Sequence, residues 1–143
     1  MKAIYSDLRS DASVNAAQRR VDSVMSSPVR SIQASTLLGE ALTVMARAGL
    51  RHLAVVDVGG QFLGVLSDRT IAAAWAIDPS CLSWTHAGMV VDTGHATVRP
   101  GANVLTAARA MRSAETDAVA VVDDSGAVVG IVTGSDMIAA LAR

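Results

Sequence analysis

The spacing of apolar positions changes along the chain in a fixed order. Leu37, Leu38, Ala41, Leu42, Met45 and Ala48 recur every three to four residues, which predicts one buried face of a helix. The run LAVVD from Leu53 is continuously apolar and closes on an aspartate, the pattern of a buried strand. DVGGQ then gathers turn residues, with Gly60 free to take positive φ. FLGVL predicts a second strand, and the stretch from Asp68 to Ala76 predicts a closing helix. A short extended piece around Ile32 stands in front. The predicted unit is strand, helix, strand, strand, helix.

The same order then returns. Val98 lies in a short extended piece, and Val104, Leu105, Ala108 and Met111 mark a helix face. AVAVVD and AVVGIV flank the turn DDSGA, which carries Gly126, and Ser135 to Ala142 reads as the last helix. HLAVVDVGGQFLGVLS starts at 52 and AVAVVDDSGAVVGIVT at 118, which sets the offset at 66. That offset also relates Ile32 to Val98, Met45 to Met111, Asp57 to Asp123, Gly60 to Gly126 and Gly64 to Gly130. No gap is needed between Val29 and Ala76 or between His95 and Ala142, so the pattern is an internal duplication. The approach to the second copy has two readings. Met25 precedes Ile32 by seven residues and Met89 precedes Val98 by nine. Either Val91 takes the methionine's place or the loop carries two extra residues. Pro79 and Ser80 mark the break after the first copy. The expected boundaries are a lead-in at 1–20, a first repeat at 21–78, a connector at 79–84 and a second repeat at 85–143. ASVNAAQRRVDSVM reads as a helix leading in.

Composition narrows the class. Of 143 residues, 51% are hydrophobic and 3% aromatic, so the core is built from Val, Leu, Ile, Ala and Met. Met25, Met45, Met89 and Met111 read as core filler. A net charge of −1 gives no strong field toward nucleic acid or an anionic membrane, and AAQRR is too short a basic cluster to bind DNA. The apolar runs are too short to span a bilayer. MKAIYSDLRSDASV carries charges and no apolar core, so it does not read as a signal peptide. Cys81 is the only cysteine, which excludes an intrachain disulfide and fits a reducing, cytoplasmic setting; it reads as a bland linker cysteine. IAAAWAI and MIAALA are small and apolar almost all round. Helices of that kind have to be covered on more than one face, so a homodimer that buries them is expected.

VDSVMSSPVRSI, LLGEALTVMARAGLRHLAVVDVGGQFLGVLSDRTI and their second copy resemble the cystathionine-β-synthase (CBS) domain family. The shared features are the Val-Met start, the Pro-Val step, the Glu-Ala helix, the VVD strand and a glycine–hydroxyl–aspartate close. The resemblance covers about residues 21 to 143 and implies a tandem CBS pair, a Bateman module. It implies an α+β fold of two β-α-β-β-α repeats, related by a pseudo-twofold axis and packed through their sheets, with clefts between them. It further implies a regulatory module that binds AMP, ADP, ATP or S-adenosylmethionine in a cleft, dimerises and acts in trans on an effector protein, with no cofactor required.

The stretch TGSD, from Thr133 to Asp136, carries chemistry of its own. A helix start offers unsatisfied N–H groups and a positive dipole end, a seat for phosphate. The Thr133 hydroxyl adds a donor, and the Asp136 carboxylate is able to accept from both hydroxyls of a ribose. In the CBS family the matching hydroxyl and aspartate are implied to do these jobs. The same spacing is also close to a capping box, and the two roles coexist. In the first copy Thr70 stands where Asp136 stands in the second, with Asp68 two residues earlier. Threonine does not accept two hydroxyl protons as a carboxylate does. One occupied site, served by Asp136, is therefore expected. The candidate ligand set is Thr133, Ser135 and Asp136 with Arg51, His52, Ser67 and Arg69. The resemblance implies phosphate contacts for Arg51 and His52; Arg51 also reads as a solvated charge, and Arg69 reads more readily as one. The second copy has Asp117 and Ala118 at the places of Arg51 and His52.

His52, His86 and His95 share no ligand spacing, so no metal site is expected. No nucleophile elbow and no P-loop occur, which ranks an enzyme last. The readings that stand are a sensor of adenosine nucleotides or related adenosyl compounds and, as the alternative, a ligand-free dimerisation or interaction module.

Overall fold

The computed structural model describes residues 14–91 and 96–142. His95 and most of the lead-in, residues 1–13, lie outside these. The chain begins with α1 (Val14–Gln18) and a 3-10 turn, Val21–Ser23. The first copy follows as β1 (Ser31–Gln33), α2 (Leu38–Ala48), β2 (His52–Val56), β3 (Phe62–Ser67) and α3 (Asp68–Ile77). A second 3-10 turn, Pro79–Ser83, and the short α4 (Ala87–Val90) come next. The second copy is β4 (Thr97–Val98), α5 (Val104–Ala114), β5 (Ala118–Val122), β6 (Val128–Thr133) and α6 (Gly134–Ala142). Both copies have the expected β-α-β-β-α order.

Each copy forms a three-stranded sheet, ordered β1-β2-β3 and β4-β5-β6. β1 runs parallel to β2, and β2 pairs antiparallel with β3, which sets His52 opposite Ser67 and Leu53 opposite Leu66. β4 runs parallel to β5. Gly60 and Gly126 both take positive φ in the turns that join the long strands. α2 ends on Gly49 at φ 66, and α5 ends on Glu115 at φ 53. The duplication therefore places a glutamate in the left-handed backbone that a glycine occupies in the first copy.

The chain forms two compact units that cross the repeat boundaries. One holds the described residues among 1–28, 96–124 and 129–143; the other holds those among 29–95 together with 125–128. Each copy is thus completed by the segment that precedes the other copy. The bonds that hold these segments repeat with the same offset of 66. The N–H of Leu38 donates to the Thr85 carbonyl at 2.9 Å, and that of Val104 to Arg19 at 2.8 Å. Ala87 donates to Thr36 at 2.7 Å, and Val21 to Ala102 at 2.8 Å. Each contact gives the first N–H of a helix a partner that the helix itself does not supply.

The cores follow from this arrangement. Leu38, Ala41, Met45, Leu53, Val55, Leu66 and Ile71 pack with Cys81, Ala87 and Val91 in the unit that holds the first copy. Val98, Ala107, Met111, Val119, Val121 and Val132 pack with Val21 in the other, with Met25 against them. Cys81 is a buried core residue rather than part of a bare linker. Val91, not Met89, stands where Met25 stands in the sister segment. The N–H of Val91 donates to Ala87 and that of Met25 to Val21, at 3.1 and 2.8 Å. Met89 is 61% exposed, so it is not core filler: a four-residue helix turns Ala87 inward and Met89 out. No helix among the described residues is long and apolar enough to cross a membrane.

Candidate functional site

The junction between β6 and α6 is closed by a reciprocal cap. The N–H of Asp136 donates to the Thr133 hydroxyl at 3.2 Å, and the N–H of Thr133 donates to Asp136 Oδ2 at 2.9 Å. The capping reading of this spacing is thus realised, and it holds the carboxylate at the helix start, where the dipole favours negative charge. The cap does not bury the group: Asp136 is half-buried and Ser135 is exposed. The Ser26 hydroxyl also donates to this carboxylate, at 3.3 Å to Oδ1 and 3.4 Å to Oδ2. The backbone of Ser26 pairs with Ile131 in both directions, at 2.9 and 3.3 Å. A carboxylate oxygen has two lone-pair directions, so Asp136 accepts these bonds and keeps acceptor capacity toward solvent.

The junction between β3 and α3 is built differently. The Ser67 hydroxyl accepts from the Thr70 N–H at 3.1 Å and lies 3.0 Å from the Thr70 hydroxyl. Two hydroxyls therefore close this helix start where a hydroxyl and a carboxylate close the other. Arg51 Nε donates to Asp68 Oδ2 at 3.2 Å, and the two side chains are 73% and 38% exposed. An ion pair this open contributes at most about 1 kcal/mol. It does, however, hold the guanidinium beside the start of α3. The backbone repeats the duplication here too: the Asp68 N–H donates to Arg51 and the Gly134 N–H to Asp117, at 3.0 and 2.9 Å.

The candidates fall into two groups. Thr133, Ser135 and Asp136 stand together at the start of α6. Arg51, His52 and Ser67 stand together at the start of α3, with His52 and Ser67 paired across β2 and β3. Arg69 is exposed on the first turn of α3. Ser26 was not among the expected residues. It lies 110 positions from Asp136, and nothing local in SSPV signals that contact. Among the described residues, no group of three or more His, Cys, Asp and Glu is placed to hold a metal ion.

The model of the CBS domain matches this chain twice, over residues 21–76 and 88–143. The chain belongs to the CBS-domain family. It is a tandem CBS pair, and several of the solved structures it resembles are CBS-domain proteins as well. A conserved CBS-domain protein of unknown function from Thermoplasma acidophilum, TA0289, superimposes with a TM-score of 0.78 at 27% identity, over 87% of this chain and 72% of that one. The CBS pair of protein MJ0100, solved with 5′-methylthioadenosine and S-adenosyl-L-methionine, gives a TM-score of 0.76 at 26% identity, over 85% and 94%. CBSX2, solved with AMP, gives 0.70 at 24% identity over 85% and 94%, a likeness of fold alone. Among curated proteins, a homoserine O-acetyltransferase of Methanosalsum zhilinae is 29% identical over 118 residues, 82% of this chain. The chain spans 23% of that protein's length. CBS pairs are typically regulatory rather than catalytic.

Proposed function

We propose that this CBS pair is a regulatory module that binds an adenosine-type ligand at the start of α6, with the Asp136 carboxylate accepting from the ribose hydroxyls. The observation that carries the reading is the Thr133–Asp136 cap, which fixes a half-buried carboxylate beside a hydroxyl at a strand-to-helix junction. The relative at 26% identity, solved with 5′-methylthioadenosine and S-adenosylmethionine, supports the ligand class. The start of α3 is the weaker site. Thr70 offers no carboxylate, and its hydroxyl is engaged with Ser67. Arg51, beside Asp68, supplies a cation suited to a phosphate.

A thermal-shift screen with 5′-methylthioadenosine, S-adenosylmethionine, AMP, ADP and ATP tests the reading. Ligand at 100 times Kd stabilises the folded protein by about 2.7 kcal/mol. At least one of these compounds should raise Tm, and Asp136→Ala should remove the rise. A flat screen across all five assigns the protein instead to ligand-free interaction.

The same proposal includes a homodimer. Trp75 and Ile77 on α3 are 51% and 87% exposed, and Ile138 and Leu141 on α6 are 67% and 46% exposed. These apolar faces support burial against a second copy. Light scattering that returns a monomer mass at high micromolar concentration would refute that part.

A further inference from the structure

The hydroxyl of Ser26 lies almost equidistant from the two oxygens of Asp136, at 3.3 and 3.4 Å. A donor in that position straddles the carboxylate, as a pair of vicinal hydroxyls does when each donates to one oxygen. Ser26 is brought there by the segment that precedes the first copy. Its backbone pairs with Ile131 on β6, and its neighbour Met25 covers Gly130, where the space admits no side chain. The segment is held upstream by Val21, fully buried and bonded to Ala102. The hydroxyl itself is exposed, and its two bonds are long. It is therefore the part of this strap most readily displaced by a competing donor.

We infer that Ser26 stands in the ligand's place on Asp136, so that a ligand bearing a cis-diol displaces its hydroxyl and loosens the segment around Ser26 from β6. This rests on the reading of Asp136 as the ligand's anchor. Ser26 is then a residue that sets affinity by competition, and the segment up to Pro28 is the part of the chain that registers occupancy.

The test is calorimetric titration of wild type, Ser26→Ala, Ser26→Thr and Asp136→Ala with 5′-methylthioadenosine and AMP, joined to hydrogen exchange of the free and bound wild type. The length and exposure of this bond place it with ordinary hydrogen bonds, below the usual strength of bonds to charged groups. Ser26→Ala should bind roughly three- to tenfold more tightly, and Ser26→Thr, which keeps the hydroxyl, should stay within about twofold of wild type. The amides of Ser26 and Ile131 should exchange faster in the bound protein than in the free one. Affinity that is unchanged or weakened in Ser26→Ala, or slower exchange at both amides on binding, overturns this inference while the site at Asp136 stands. Titrations in which neither compound binds any of the proteins overturn the inference, and a screen that is flat across all five compounds overturns the site with it. Circular dichroism identical to wild type confirms that the variants fold.

Discussion

The exchange of segments between the copies makes a prediction that no single-repeat fold would make. Gly130 lies within β6, and a Cβ built there would run into Met25 Sδ, with Cγ at 2.8 Å and Cε at 3.2 Å. Gly130→Ala therefore forces Met25 to move. Overpacking of this kind costs about 1–3 kcal/mol, and a flexible methionine places the cost near 1–2 kcal/mol. Met25→Ala on its own removes a half-buried side chain from the second core and costs about 2 kcal/mol, the low end for such truncations. In the double variant the new methyl group falls in the room that Met25 has left. Its cost should be smaller than the sum of the single costs by about 1 kcal/mol, the size of coupling seen between touching residues. Urea unfolding of the four proteins measures this, with the m-values compared to confirm that the transition is unchanged. Single costs that add to within about 0.5 kcal/mol would show that Met25 does not cover β6, and the exchange would be refuted.

Three further outcomes follow from local geometry. Asn103 Oδ1 accepts from both the N–H and the hydroxyl of Thr106, at 2.8 and 2.9 Å, so Asn103→Ala should lower stability by about 1 kcal/mol in chemical denaturation. Glu115→Gly should raise it by about 0.5–1 kcal/mol, because relief of the Cβ penalty at φ 53 outweighs the freedom that glycine adds to the unfolded chain; a lower denaturation midpoint would refute this. The Asp22 carboxyl is held below its ordinary pKa by the hydrogen bond from Arg20, and that of Asp78 by the Ser80 hydroxyl and then the Ser80 N–H. A carboxyl with a depressed pKa contributes stability that is present above its unfolded value, near 3.9, and is lost as pH falls through the lower folded value. Tm should thus fall below about pH 4, and less steeply in Asp22→Asn and Asp78→Asn, as pH-dependent calorimetry would show.

The elements were legible because each long apolar run was preceded by a helical spacing and split by a glycine turn, twice over. The expected last helices, Asp68 to Ala76 and Ser135 to Ala142, differ from the observed ones by one residue each. The exchange of segments was not legible. Val21 and Ala87 have no period that distinguishes packing on one copy from packing on the other, since both copies present the same acceptors at Ala102 and Thr36. For the same reason Cys81 read as a linker residue and Met89 as core. At the candidate site, the sequence supplied the Thr133–Asp136 spacing, and its capping geometry could be derived from local rules. The Arg51–Asp68 ion pair and the Ser26 contact depend on strands brought together over 17 and 110 positions, which no local pattern encodes.

Titration calorimetry of wild type, Asp136→Ala and Thr70→Ala with 5′-methylthioadenosine, S-adenosylmethionine, AMP and ATP bears most directly on the central claim. One ligand per chain is predicted, with binding lost in Asp136→Ala and kept in Thr70→Ala. Two equal sites, or binding that survives Asp136→Ala unchanged, would contradict it.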